Sequence, residues 1–415
     1  MIGRRVFVKD GAMSVVGLSM VPGFLRRASF SASLRSGNKK TLVVVFQRGG
    51  ADGLNIVVPF GEKSYYDYRP SIAIQPPGQG EASALDLDGF FGLHPALQPL
   101  MPIYEKGDLG IVHAVGSPDT GNRSHFQAQD IMESAAPNRG SGTGWINRHF
   151  TASPDDDATA FRGTGLGRVL PKALRGPAPA VAMGNIEQFS MGEGSIYETL
   201  YDEDSNSLLT SASRDMFDAI DLLKEANPAQ YTPAPGIRYG VNPNNNNPSP
   251  FGMALMQVAQ LIKADIGLEV AFVDVEGWDH HSNEGSIDGR MMQGLQPFGQ
   301  ALAAFYEDLG DRMEDVVVLT MSEFGRTARE NGNRGTDHGH ANVMFAMGGP
   351  VQGGKVFGDW PGLAGEQLNE NRDLALTTDF RDVFAELLDR HLGATNVDAV
   401  FPRFTPDPER YKGLI

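Results

Sequence analysis

The run Val316-Val-Val-Leu-Thr-Met321, with Glu314 and Asp315 before it and Ser322 and Glu323 after it, constrains this chain more than any other stretch. It is β-rich and nearly continuously apolar instead of alternating. That pattern fits a strand buried on both faces, and such strands belong to parallel sheets covered by helices. A Gly-, Asn- and Arg-rich loop then delivers Asp337-His338-Gly339-His340, and a second apolar run follows over 343–347. Metal-capable side chains therefore stand just past the carboxyl end of a strand, where open α/β sheets place their ligand sites.

The rest of the chain supplies companions for that strand. Residues 41–46 form a first β-rich run, ending in Gln47-Arg48-Gly49-Gly50-Ala51-Asp52-Gly53. The glycines permit a sharp turn and put Asp52 just beyond the strand end, although Asp-Gly is also an ordinary turn dipeptide. Residues 94–106 read as a helix, 109–115 as a second strand, and a helix opens at Ser124-His125-Phe126. Ser124 can serve as that helix's N-cap. It can equally be a nucleophile or anion contact at a positive helix end, flanked by Arg123 and His125. Helix 251–265, strand 268–275, helix 288–313 and strand 316–321 make a strand–helix–strand unit of the length that a parallel crossover needs. Between them, residues 143–250 carry weak signals and include the Asn-rich stretch 241–250. They read as an irregular insertion over the sheet edge, and 394–415 read as a C-terminal tail.

Charge and composition narrow the function. A formal charge of −16 argues against nucleic-acid binding, which needs a basic face. With no cysteine there is no disulfide frame, thiolate metal site or cysteine nucleophile. The amino terminus carries Arg4-Arg5-Val6-Phe7-Val8-Lys9 and a mildly apolar segment over 11–25. It resembles a twin-arginine (Tat) export signal over 1–35, which implies the Tat machinery as a partner and a periplasmic or secreted protein.

Between the 268–275 strand and its helix lies Gly277-Trp278-Asp279-His280-His281. A carboxylate beside two imidazoles suits zinc, iron or manganese, although adjacent histidines diverge in an extended chain, so only one need be functional. Three strand ends thus carry candidate ligands, the convergence that two-metal sites need to clamp attacking and leaving oxygens. The strings Phe46-Gln-Arg-Gly-Gly-Ala-Asp52-Gly-Leu-Asn55, Gly277 to His281, Ser322-Glu-Phe-Gly-Arg-Thr327 and Asp337 to His340 resemble the family called domain of unknown function 1501. The similarity runs over about 40–393.

That family is grouped with the alkaline-phosphatase and sulfatase superfamily. The resemblance implies a three-layer α/β sandwich, mainly parallel in its sheet, with helices on both faces. It also implies one or two divalent ions (zinc, manganese, iron or calcium) held among Asp52, Asp279, His280, His281, Glu323, Asp337, His338 and His340. Ser124 would be the nucleophile, with Arg123 and Arg326 at the anion of a small-molecule or polysaccharide ester. One departure stands out: where the superfamily has an Asp-His pair at the end of the 316–321 strand, this chain has Glu323-Phe324, and Phe324 cannot ligate a metal. A non-catalytic exported binding module on the same fold is the alternative, and an isomerase or mutase of the superfamily a third reading.

Overall fold

A computed structural model describes residues 40–80, 82–119, 123–136, 141–155, 157–187, 219–240 and 248–415. The twin-arginine segment, residues 210–218 of a helix expected over 210–226, and residues 241–247 of the Asn-rich stretch lie outside the described residues.

The strands, in chain order, are β1 (Thr41–Gln47), β2 (Val57–Val58), β3 (Leu85–Asp86), β4 (Gly92–Leu93), β5 (Leu109–Gly116) and β6 (Gly163–Leu166). They continue with β7 (Val181–Met183), β8 (Val270–Val275), β9 (Val316–Ser322), β10 (Asn342–Met347), β11 (Lys355–Phe357) and β12 (Thr378–Asp379). A nine-stranded sheet runs β11-β5-β10-β9-β1-β8-β6-β7, with β12 paired to the end of β5. Only β10 is antiparallel to its neighbours, β5 and β9; the other pairs are parallel. β2, β4 and β3 form a small separate sheet.

The central strands explain why their sequences do not alternate in polarity. In β1, Leu42, Val44 and Phe46 join one core cluster while Val43 and Val45 join the other, so each face of the strand is buried. One face is covered by the helices Pro250–Lys263 and Arg290–Leu309, through Leu255, Val258, Phe298 and Leu302. The opposite face is covered by His125–Ser134, Trp145–Ala152 and Phe380–Glu386, through Met132, Trp145 and Phe384. The expected three layers with helices on both faces are present. Local chemistry sets the helix starts: Ser249 Oγ accepts from Gly252 N with Pro250 in the first turn, and Asp379 accepts from Arg381 N.

Three expectations are corrected. The helix expected over 94–106 is a 3-10 stretch, Pro95–Leu100, followed by an α-turn pair, Met101–Lys106, because Pro99 and Pro102 remove two amide donors. Residues 143–250 are not simply an insertion over the edge. They contribute β6 and β7 to the main sheet and bury Trp145, Phe150 and Leu174. Strands of four and three residues, β6 with two glycines, leave no clear periodicity in the sequence. Residues 394–415 are no loose tail: Val400, Phe401 and Leu414 lie in the core, and the Glu386 carboxylate accepts from the amides of Lys412, Leu414 and Ile415. Among the described residues, no helix is long and apolar enough to cross a membrane.

Candidate metal centre

The carboxyl ends of β1, β5, β8 and β9 open on one edge of the sheet, beside the amino end of antiparallel β10. The loops there are pressed together. Gly49 has φ of 122°, and a Cβ on it would lie 2.6 Å from the amide nitrogen of Asp279. Gly49→Ala therefore combines a disfavoured backbone with a steric push on the Asp279 loop. It should cost about 1–3 kcal/mol in denaturant unfolding; an unchanged midpoint would contradict this packing.

Arg326 ties the loops to one another. It is 2% exposed. Its guanidinium donates to the carbonyls of Gly49 and Gly50 after β1, Trp278 after β8 and Thr336 after β9, and to Asp279 Oδ1 at 2.6 Å. The arginine expected at a substrate anion is thus committed to the protein's own backbone and to one carboxylate.

Asp279 is the focus of the site. His281 Nε2 lies 3.1 Å and His338 Nε2 3.3 Å from its Oδ1, and His125 Nε2 lies 3.5 Å from its Oδ2. Ligand atoms of His125, Asp279 and His338 all lie within 4.8 Å of one another. Each imidazole is anchored through its other nitrogen. His125 Nδ1 meets Glu323 Oε1 at 2.8 Å, His281 Nδ1 meets Asp337 Oδ1 at 3.1 Å, and His338 Nδ1 meets the Arg123 carbonyl at 2.8 Å.

A carbonyl and two ionised carboxylates can only accept, so hydrogen-bond chemistry assigns the proton to Nδ1 in all three rings. Their Nε2 lone pairs then turn toward Asp279, and those of His281 and His338 stand 2.9 Å apart. Two lone pairs facing a carboxylate at that separation repel unless a cation or a proton sits among them. The imidazole nitrogens of His125 and His338 with a carboxylate oxygen of Asp279, each ring held by an outer partner, form a donor set that fits a divalent transition metal or zinc, and His281 Nε2 lies beside it.

The electrostatics favour that fit at Asp279 and His338. Burial opposes ionisation of Asp279, but Arg326, His281 and His125 together hold its carboxyl down to about 2. Burial pushes His338 below the usual imidazole value, which keeps it neutral as a ligand must be. His125 shifts the other way, mainly through its hydrogen bond to Glu323. Burial likewise opposes charge on Glu323, yet hydrogen bonds from His125, Gln129 and Gly49 N hold its carboxyl below the ordinary range. Phe324 cannot ligate, but its ring packs under two rings that can, 5.0 Å from that of His125 and 4.8 Å from that of His338.

The other candidates lie elsewhere. Asp52 is 1% exposed and forms a bidentate pair with Arg69, itself 0% exposed, which also donates to Asn55 Oδ1 and to the carbonyls of Thr327 and Ala328. Burial raises the buried Glu284 carboxyl well above its normal value, and the neighbouring Asp52 adds to this. His280 points inward beside Trp278, with burial lowering it to about 4. His340 is buried, with Nε2 2.8 Å from the Ser117 carbonyl. Arg123 directs its guanidinium to Glu370 and Asp373. Ser124 precedes His125 at the N-cap position. The structure thus groups Asp279, His281 and His338 directly, with Asp337 and Glu323 one bond behind. It sets Asp52, His280 and His340 apart. His125 enters as a ligand candidate that sequence reading placed only beside Ser124; its position in the first turn after β5 was the available signal.

Among solved structures, the chain is similar to the PsFucS1 sulfatase from Pseudoalteromonas sp. at 11% identity, over 86% of this chain and 68% of that one, with a TM-score of 0.36. It is also similar to a phosphonate monoester hydrolase of Agrobacterium radiobacter, at 9% identity over 90% and 79% of the two chains, with a TM-score of 0.37. A third is the lipoteichoic acid synthase LtaP from Listeria monocytogenes, at 8% identity over 76% and 67%, with a TM-score of 0.32. No curated protein matches the chain. The sequence profile of the family described as "Protein of unknown function (DUF1501)" matches residues 114–401, a span that includes His125, Asp279, His281, Glu323 and His338. The chain belongs to the DUF1501 family.

Proposed function

We propose that this protein is an exported, metal-dependent hydrolase of phosphate or sulfate esters. The observation that carries the reading is the set of three Nδ1-anchored imidazoles whose Nε2 atoms converge on Asp279. His125, His281, His338 and Asp279 would hold one ion of zinc, manganese or iron. Bound there, the ion supplies Lewis-acid polarisation of an ester oxygen. Export rests on the Arg4-Arg5 pattern, and the Tat machinery and a periplasmic or secreted location are proposed with it.

Ser124, adjacent in sequence to His125 at a helix start, is the proposed nucleophile. Its Oγ would bond to phosphorus or sulfur as the ester oxygen leaves, and water would later release the covalent intermediate. Ser124→Ala should lower turnover of an aryl phosphate or aryl sulfate by at least about 100-fold while bound metal and the unfolding midpoint stay as in the parent. Unaltered turnover would remove Ser124 from this role and leave water as the attacking group.

The binding-module reading has one observation in its favour: Arg326 and Arg123, the cations expected at a substrate anion, are engaged by the protein's own carbonyls and carboxylates. A metal-loaded protein that turns over no phosphate or sulfate ester would decide for it.

A further inference from the structure

We infer that Glu323 is a positioning residue for the metal centre and not one of its ligands: it fixes the tautomer, direction and basicity of His125. The inference rests on the metal-centre reading above. Glu323 immediately follows the last residue of β9, and its side chain is 0% exposed. Its Oε1 accepts from His125 Nδ1 at 2.8 Å, Gln129 Nε2 at 2.9 Å and Gly49 N at 2.9 Å. These three donors fill the acceptor positions of Oε1, so turning that oxygen to a metal would break them.

The same bonds explain how it acts on the site. A buried anion on Nδ1–H turns the imidazole so that Nε2 faces Asp279, and it makes that Nε2 a stronger donor. Gln129 lies one helical turn beyond His125 on the same helix, so its bond to Glu323 fixes the carboxylate to the element that carries the ligand. Gly49 N brings the loop after β1 into the same arrangement. Glu323 thereby links the ends of β1 and β9 to the helix after β5, and passes their placement to a single ring nitrogen.

The test uses the full chain and Co²⁺ alone as the probe. Glu323→Gln keeps an oxygen for His125 and Gly49 but loses the charge; Glu323→Ala loses both. Titration should show Co²⁺ binding weakened about 10-fold in the first and about 100-fold in the second, with an altered visible spectrum of the bound ion. Apo unfolding midpoints, taken alongside, separate this from a general loss of fold, and Gln129→Ala provides a milder change of the same kind if the alanine variant does not fold. Parent-like affinity and spectrum in a folded Glu323→Gln, together with parent-like affinity in Glu323→Ala or Gln129→Ala, would overturn the positioning role while leaving the metal centre standing. No Co²⁺ binding by the parent protein would instead overturn the metal centre, and this inference with it.

Discussion

Asp279→Asn should leave the protein folded and abolish metal binding at the proposed centre. Asp279 is the one carboxylate that all three imidazole Nε2 atoms approach, and it is the group that balances the Arg326 guanidinium at the same spot. Asparagine keeps the shape and can still accept from Arg326, whose other donors stay on the carbonyls of Gly49, Gly50, Trp278 and Thr336. The charge, however, disappears. The unbalanced Arg326 guanidinium beside the imidazoles would then repel a cation. Outer-shell partners are themselves worth about 10–100-fold in metal affinity, so loss of a direct ligand should cost at least about 100-fold. Turnover of any ester substrate should fall by about 1000-fold, the scale of several kcal/mol of lost charge stabilisation. Equilibrium dialysis with elemental analysis, run beside an unfolding curve, reads both effects. Full metal content in the variant would show that the ion, if any, binds elsewhere.

Arg69→Met should be among the most destabilising single changes in the protein. Arg69 and Asp52 are paired through two nitrogens and two oxygens and are both buried, and the carboxyl of Glu284, pushed up by burial, lies beside the same carboxylate. Methionine fills much of the volume but strands an anion in the interior. Removing one partner of a buried pair typically costs about 3–5 kcal/mol, against about 0–1 kcal/mol for a surface pair. Adding Asp52→Asn to Arg69→Met should recover part of the loss, and a double-mutant cycle in guanidinium chloride measures that coupling. A single-variant cost below about 1 kcal/mol would mean that Asp52 is satisfied by something other than Arg69. Because Arg69 takes up both oxygens of Asp52, the cost should be the same with and without a metal chelator.

Much of the frame was legible in the chain itself. The unbroken apolar run that became β9 announced a doubly buried strand, because only a strand covered on both faces needs no polar side, and the β-rich run over 41–46 announced β1. Glycines such as Gly49 marked the sharp turn after β1, and the Gly277–His281 and Asp337–His340 strings put carboxylates and imidazoles past strand ends. Even the divergence of His280 from His281 was implied by backbone geometry, since neighbours in an extended chain point opposite ways.

What the chain alone could not decide was which partner each of those groups would meet. His281, not His280, faces Asp279 because the Asp337 loop after β9 folds over that side and anchors its Nδ1. Asp52 stands at the end of β1 as expected, but Arg69, from a different segment, folds back to its carboxylate. His125 and Glu323 are 198 positions apart, and only the neighbouring ends of the sheet bring them within a hydrogen bond. Periodicity, turns and caps are local and can be read from a few residues at a time. The satisfaction of a buried charge or a ring nitrogen depends on distant segments that packing alone brings together.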